Sequence, residues 1–164
     1  MTEPTRPDGH GGCDAGDIAL LDQWHTLYSG FRRLTHELLA DVESETGLAP
    51  SSFEVLWFLT MRPARTAPMH QLTKVLGFST AGTTKVVDRL AEAGFVERLP
   101  SPSDRRVTLA ALTTVGADAA ASAARTLAGA LRQRLLEPLG SEHFAALAAT
   151  IGSLATSSGS CAEG

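Results

Sequence analysis

The chain has 164 residues with two cysteines and a formal net charge of −4 at pH 7, and its pI is about 5.7. That length fits one dimerisable unit rather than two independent domains, and the acidic balance argues against general affinity for nucleic acid. No apolar run approaches the ~18 residues of a membrane span and no basic-then-apolar leader is present, so a cytoplasmic protein with no membrane partner is expected.

Residues 1–16 and 157–164 lack periodic hydrophobic positions and are expected to be disordered tails. From Asp17 to Thr46 the pattern predicts a helix of about 45 Å, with Leu20, Trp24, Leu27, Phe31, Leu34 and Leu38 at heptad-like steps of 4, 3, 4, 3 and 4. Ile18, Leu21, Tyr28 and Leu39 widen that stripe beyond one seam, so the helix should touch two partners. Gly47 and Pro50 close it. Ser51-Ser52 opens a short helix whose Phe53, Val55, Leu56, Phe58 and Leu59 read as core, and a Pro- and Ala-bearing connector runs from Arg62 to Pro68.

Leu72, Val75 and Leu76 fall at i, i+3 and i+4, and the run stops at Gly77, which can take the positive φ that ends a helix. After a tight turn the apolar positions restart as Val86, Val87 and Leu90, until Gly94. Ser79 or Thr80 is the expected N-cap, because a short hydroxyl side chain accepts from free N–H groups of the first turn. The buried stripe of this second helix is expected at Thr83, Val86, Val87 and Leu90. Thr80, Ala81, Thr84, Lys85, Asp88 and Arg89 then point outward, and Gly82 keeps the leading end of the helix slim.

Past Gly94 the period changes from helical to two. Val96 and Leu99 bracket Glu97 and Arg98, and Val107, Leu109 and Ala111 alternate with Thr108, Ala110 and Leu112, which predicts a hairpin of two short strands. Its connection, Pro100 to Arg106, is longer than a typical hairpin loop and ends in Ser103-Asp104-Arg105-Arg106. Hairpin packing does not ask for such a tip. A protruding loop with two arginines suits the narrow, negative minor groove of a duplex, and Asp104 is expected to hold the Arg106 guanidinium in direction.

Beyond Thr113 an alanine-rich helix carries Leu127, Leu131 and Leu135 and ends near Pro138; alanine favours helix and lets backbones approach. The last helix, after Ser141, has Phe144, Leu147, Ile151 and Leu154 at helical steps. The two ends of the chain thus present apolar stripes outside the central module, and a homodimer is the economical explanation. The expected class is mainly α with a small β-wing: a winged helix-turn-helix over 51–113, flanked by dimerisation helices over 17–46 and 114–156.

Charge follows the same division. Residues 62 to 106 hold eight basic and four acidic side chains, a local +4 that leaves −8 for the remainder. An acidic body with one basic module suits a protein that presents a single face to DNA. In helix-turn-helix proteins the second helix enters the major groove, its N-terminal residues against the base edges. The expected DNA contacts are therefore Ser79, Thr80, Thr83, Thr84, Lys85, Arg89, Arg105 and Arg106, with Asp104 orienting the wing; Thr83 is claimed by both the buried stripe and the DNA face.

Residues 17 to 156 resemble the MarR (multiple-antibiotic-resistance regulator) family of bacterial transcription factors, most specifically at Asp104-Arg105-Arg106 followed by Leu112-Thr113, which is similar to the family's D-x-R … L-T signature. The resemblance implies a homodimer on a pseudo-palindromic operator, with the helix from Ser79 in the major groove and Arg106 in the minor groove. It further implies a repressor released by a small aromatic or phenolic effector, though some members sense oxidants or metals. Peroxide-sensing members keep a reactive cysteine early in the first helix, and alignment on Leu48-Ala49-Pro50 puts His25 at that place.

Other chemistries find little support. Cys13 and Cys161 sit in the tails, where an unperturbed thiol in a reducing compartment is expected. His25 and His36 share a helix face but lie about 16 Å apart, too far to chelate one ion, so no metal or cofactor is expected. Trp24, Tyr28 and Trp57 can line a ligand pocket, yet aromatics at helical spacing are more often core; the ligand-binding residues stay unassigned. Gly77-Phe78-Ser79-Thr80-Ala81 approaches a hydrolase nucleophile elbow, but a helix precedes the serine where the elbow needs a strand, and no enzyme is expected. The alternative function is a winged-helix interaction module or co-regulator, which would carry an apolar patch on the outward face of the second helix. Thr80, Ala81, Thr84 and Lys85 provide none.

Overall fold

The computed structural model describes residues 14–157. The segments 1–13 and 158–164, with Cys13 and Cys161, lie outside the described residues. In chain order the elements are α1 (Ala15–Thr46), α2 (Pro50–Thr60), β1 (Thr66–Pro68), α3 (Met69–Leu76), α4 (Thr80–Glu92), β2 (Val96–Pro100), β3 (Thr108–Leu112), α5 (Thr114–Leu131), a π-helical turn (Arg132–Leu136), α6 (Glu137–Leu139) and α7 (Ser141–Ser157). The chain divides into two compact units, Met1–Glu37 and Leu38–Gly164.

The first unit is helix as far as it is described. Asp14 accepts from the N–H of Asp17 at 2.7 Å, an N-cap that starts α1 at Ala15 and so shortens the expected tail. Leu20, Trp24, Leu27 and Phe31 are 62–71% exposed, and the Trp24 and Tyr28 rings stack with centroids 6.2 Å apart. The preference for core aromatics is therefore corrected at these two positions: Trp24 and Tyr28 form a surface stripe in the single chain.

The second unit holds the core. Val42, Val55, Leu56, Leu59, Leu72 and Val87 are fully buried, with Val96, Leu90, Phe53 and Ala110 beside them. The apolar period of α2, α3 and α4 turns one face of each helix into this cluster, and β3 covers it from the sheet side. Burying such side chains gains about 1.5–3 kcal/mol each. Trp57, on the outer face of α2, is 42% exposed and stacks on Phe53.

The sheet has three strands in the order β1-β3-β2, antiparallel throughout. The end of the connector Arg62–Pro68 forms a strand that the sequence reading does not assign, β1, with Thr66 opposite Ala111 and Pro68 opposite Leu109. The wing hairpin pairs Val96 with Leu112 and Pro100 with Thr108. Pro100 therefore belongs to the strand rather than the loop, tolerated because β2 is an edge strand.

Gly116, in the first turn of α5, packs against the β2 side: a Cβ there would lie 2.0 Å from the Phe95 carbonyl oxygen. The Thr113 hydroxyl caps the same turn. It accepts from the Gly116 N–H at 2.9 Å and donates toward the carbonyls of Gly94 and Phe95 at 2.8 and 3.1 Å. The alanine-rich helix was expected to run on to about Pro138, but it yields to the π-helical turn at Arg132. From that turn Arg134 reaches Asp41 at 2.7 Å, and about two turns earlier Thr126 donates to Glu45 at 2.9 Å. On α7, Leu147, Ile151 and Leu154 are exposed, and this helix runs to Ser157, one residue into the expected tail.

Candidate nucleic-acid interface

Two elements of the second unit converge on one chemistry. Gly77, in the left-handed conformation at φ 63°, closes α3, and Ser79 caps α4 by accepting from the Gly82 N–H at 3.1 Å. Ser79, and not Thr80, is thus the N-cap. On α4, Thr80, Ala81, Lys85 and Arg89 are exposed and Thr84 is half-buried, as the period requires. Among the described residues no salt bridge engages Lys85, Arg89 or Arg105. A cationic face left without internal partners is what a polyanion needs.

Thr83 is a correction. It is fully buried, so it faces the core and offers nothing to a duplex, and its Oγ1 has no hydrogen-bond partner. The buried-stripe reading of this residue holds and the DNA-contact reading does not. The basic count is also redistributed. The Arg65 carbonyl accepts from the Leu112 N–H at 2.9 Å, which places the Arg62–Arg65 turn at the base of the sheet, away from the wing tip beyond the Pro100–Thr108 pair. The Arg62 guanidinium stacks on Phe58 at 4.2 Å.

The wing tip is ordered by its own side chains. Asp104 accepts from the Arg106 backbone N–H at 3.0 Å and from Nε and Nη2 of the same residue at 3.2 Å. Asp104 thus clamps the Arg106 guanidinium with both carboxylate oxygens. These hydrogen bonds, the side-chain ones foremost, hold the Asp104 carboxyl below its ordinary pKa, so it is anionic at neutral pH. The Arg106 side chain remains 92% exposed: aimed, but not covered. The Ser101 N–H donates to the Val107 carbonyl at 2.8 Å, and the Ser101 and Ser103 hydroxyls lie 3.0 Å apart. The loop is therefore a compact tip rather than a slack tether.

Sequence reasoning missed Phe78. It precedes the α4 N-cap and is 47% exposed, beside Gly82, whose added Cβ would come within 3.4 Å of it. An apolar residue just before a Ser N-cap was the available signal. Trp24, Tyr28 and Trp57, read as core more readily than as a pocket lining, are each exposed. A cavity of about 230 Å³ is lined by Asp41, Glu45, Arg125, Thr126, Gly129, Ala130 and Gln133. Among the described residues no cluster of His, Cys, Asp and Glu is arranged to hold a metal ion, and no helix is long and apolar enough to cross a membrane.

The MarR family model matches residues 46–107. The Multiple antibiotic resistance protein MarR of Escherichia coli is 33% identical over 115 residues, spanning 70% of this chain and 76% of that protein. The chain belongs to the MarR family. It is a MarR-family transcriptional regulator and not an enzyme; Ser79, the serine of the apparent nucleophile elbow, follows helix α3 and caps α4. A mutant MarR from Escherichia coli complexed with operator DNA has 28% identity and a TM-score of 0.65, covering 87% of this chain and 99% of that one. A MarR-family transcriptional regulator of Streptomyces coelicolor in complex with DNA superposes with a TM-score of 0.73 over 88% of this chain and 89% of that one, at 24% identity, a likeness of fold. The family model ends before Leu112-Thr113, yet Thr113 has a physical role here as the cap that ties α5 to the turn before β2.

Proposed function

We propose that this MarR-family regulator is a homodimeric repressor that reads a pseudo-palindromic operator. In this reading Ser79, Thr80, Thr84, Lys85 and Arg89 meet the major groove and phosphates, while Arg105 and Arg106 reach the neighbouring minor groove. The observation that carries it is the wing tip: Asp104 fixes the Arg106 fork while leaving it 92% exposed. A side chain held in one direction and still open to solvent is placed to meet something outside the chain. The uncompensated Lys85 and Arg89 on α4 and the relatives solved with DNA support the same reading.

Two exposed apolar rows support dimerisation: Leu20, Trp24, Leu27 and Phe31 on α1, and Leu147, Ile151 and Leu154 on α7. Exposed apolar rows of this kind mark interfaces. Release by a small aromatic or phenolic effector rests on family resemblance, since the cavity at Asp41 and Arg125 has no aromatic lining. The test is a mobility-shift titration against DNA that the protein retrieves from its host genome. Arg106→Ala should lose about 1–3 kcal/mol of binding free energy with the oligomer intact, and unchanged binding would reject the assignment.

A further inference from the structure

We propose that Asp88 and Arg98 form a positioning pair that sets the angle between the recognition helix and the wing. The Arg98 Nη2 meets the Asp88 Oδ1 at 2.7 Å, joining α4 to β2, with the Arg98 side chain 36% and the Asp88 side chain 49% exposed. Strand alternation explains the reach. Val96 points into the core at 2% exposure, and Arg98, two residues on, lies on the same face where the core gives out. There β2 is the edge strand, hydrogen-bonded only to β3; Arg98 lies opposite Ala110, which still pairs with Ala67 of β1, and past the Pro68–Leu109 pair only Pro100–Thr108 remains before the tip. An edge strand is laddered on one side only, so side-chain contacts to a neighbouring helix help to set its direction. The turn at Gly94 is pinned to α5 by Thr113, and the Asp88–Arg98 bridge ties α4 to the strand that leads to the tip; a small change of the α4–β2 angle here would carry the Arg105–Arg106 tip away from the groove that α4 enters.

Arg98 therefore does not serve as a free cation, and Asp88 does not serve merely to dilute charge on α4. The inference rests on the DNA-reading function proposed above, and its consequences are separable. If Asp88 simply offset positive charge, its removal would strengthen binding while removal of Arg98 weakened it. If the two act as a brace, both removals act in the same direction and are not additive.

The test uses the full chain, a duplex selected by the wild-type protein from a random-sequence library, and a scrambled duplex of equal length. Asp88→Asn and Arg98→Gln should each weaken binding to the selected duplex about three- to tenfold, and the double variant should be no weaker than either single one. Binding to the scrambled duplex should change less, since it needs no aligned wing. Asp88→Glu, which keeps the charge, should retain most of the affinity. A half-exposed pair adds little to stability, so circular-dichroism melting should show all variants folded. Should one of them fail to fold, Asp88→Glu paired with Arg98→Lys reads the same coupling. Opposite signs for the two single variants, additive losses, or unchanged binding would overturn the inference. If the wild-type protein selects no duplex, the DNA-reading proposal fails first and the brace with it.

Discussion

Thr83 carries a hydroxyl that is fully buried without a hydrogen-bond partner. Leaving such a group unsatisfied costs about 1–3 kcal/mol, and valine has nearly the same shape. Thr83→Val should therefore raise stability by about 1 kcal/mol in a denaturant titration while leaving DNA affinity unchanged; a loss of affinity would return Thr83 to the interface. Asp104 obeys a different rule. Its pKa is lowered in the folded chain by Arg106, so the clamp's contribution is present above the unfolded-state value, near 3.9, and is lost as pH falls through the lower folded value. Binding should thus show no titration step from Asp104 between pH 5 and 8, and Asp104→Asn should weaken binding even at pH 8. The Asp104–Arg106 contact was readable from sequence because it spans two residues. The Asp88–Arg98 brace was not, because both residues read as outward charges and their meeting depends on how a helix and a strand cross.

At the scale of elements, α2, α3 and α4 could be read from their periods and their Gly and Ser boundaries, since each helix is amphipathic and closes locally. β1 could not: three residues, one a proline, carry no period of their own and become a strand only because β3 lies alongside through a pairing some 40 residues away. The π-helical turn at Arg132–Leu136 likewise has no local mark in an alanine- and leucine-rich run. The tie between α5 and the wing gives the sharpest element-scale expectation. A methyl at Gly116 would collide with the Phe95 carbonyl oxygen and disturb the Thr113 cap beside it. Gly116→Ala should cost about 1–3 kcal/mol, typical of overpacking where backbone must shift, measured as a lower denaturation midpoint. An unshifted midpoint would mean that α5 is seated more loosely against the turn than its cap implies.

At the scale of the molecule, an acidic chain carries an uncompensated cationic face at one place, and separate apolar rows on its first and last helices. Those rows were legible as heptad-like spacing, but their exposure was not, because spacing alone cannot tell a core-facing stripe from one that awaits a second chain. Trp24 and Tyr28 show the difference: core by pattern, surface in the single chain. The most direct test of the whole account is a DNase footprint on the DNA that the protein selects. A dimer with two readers should protect two inverted half-sites whose centres lie about one helical turn, 10–10.5 base pairs, or a multiple of it apart. Protection of a single half-site, or uniform protection without sequence preference, would contradict the central claim.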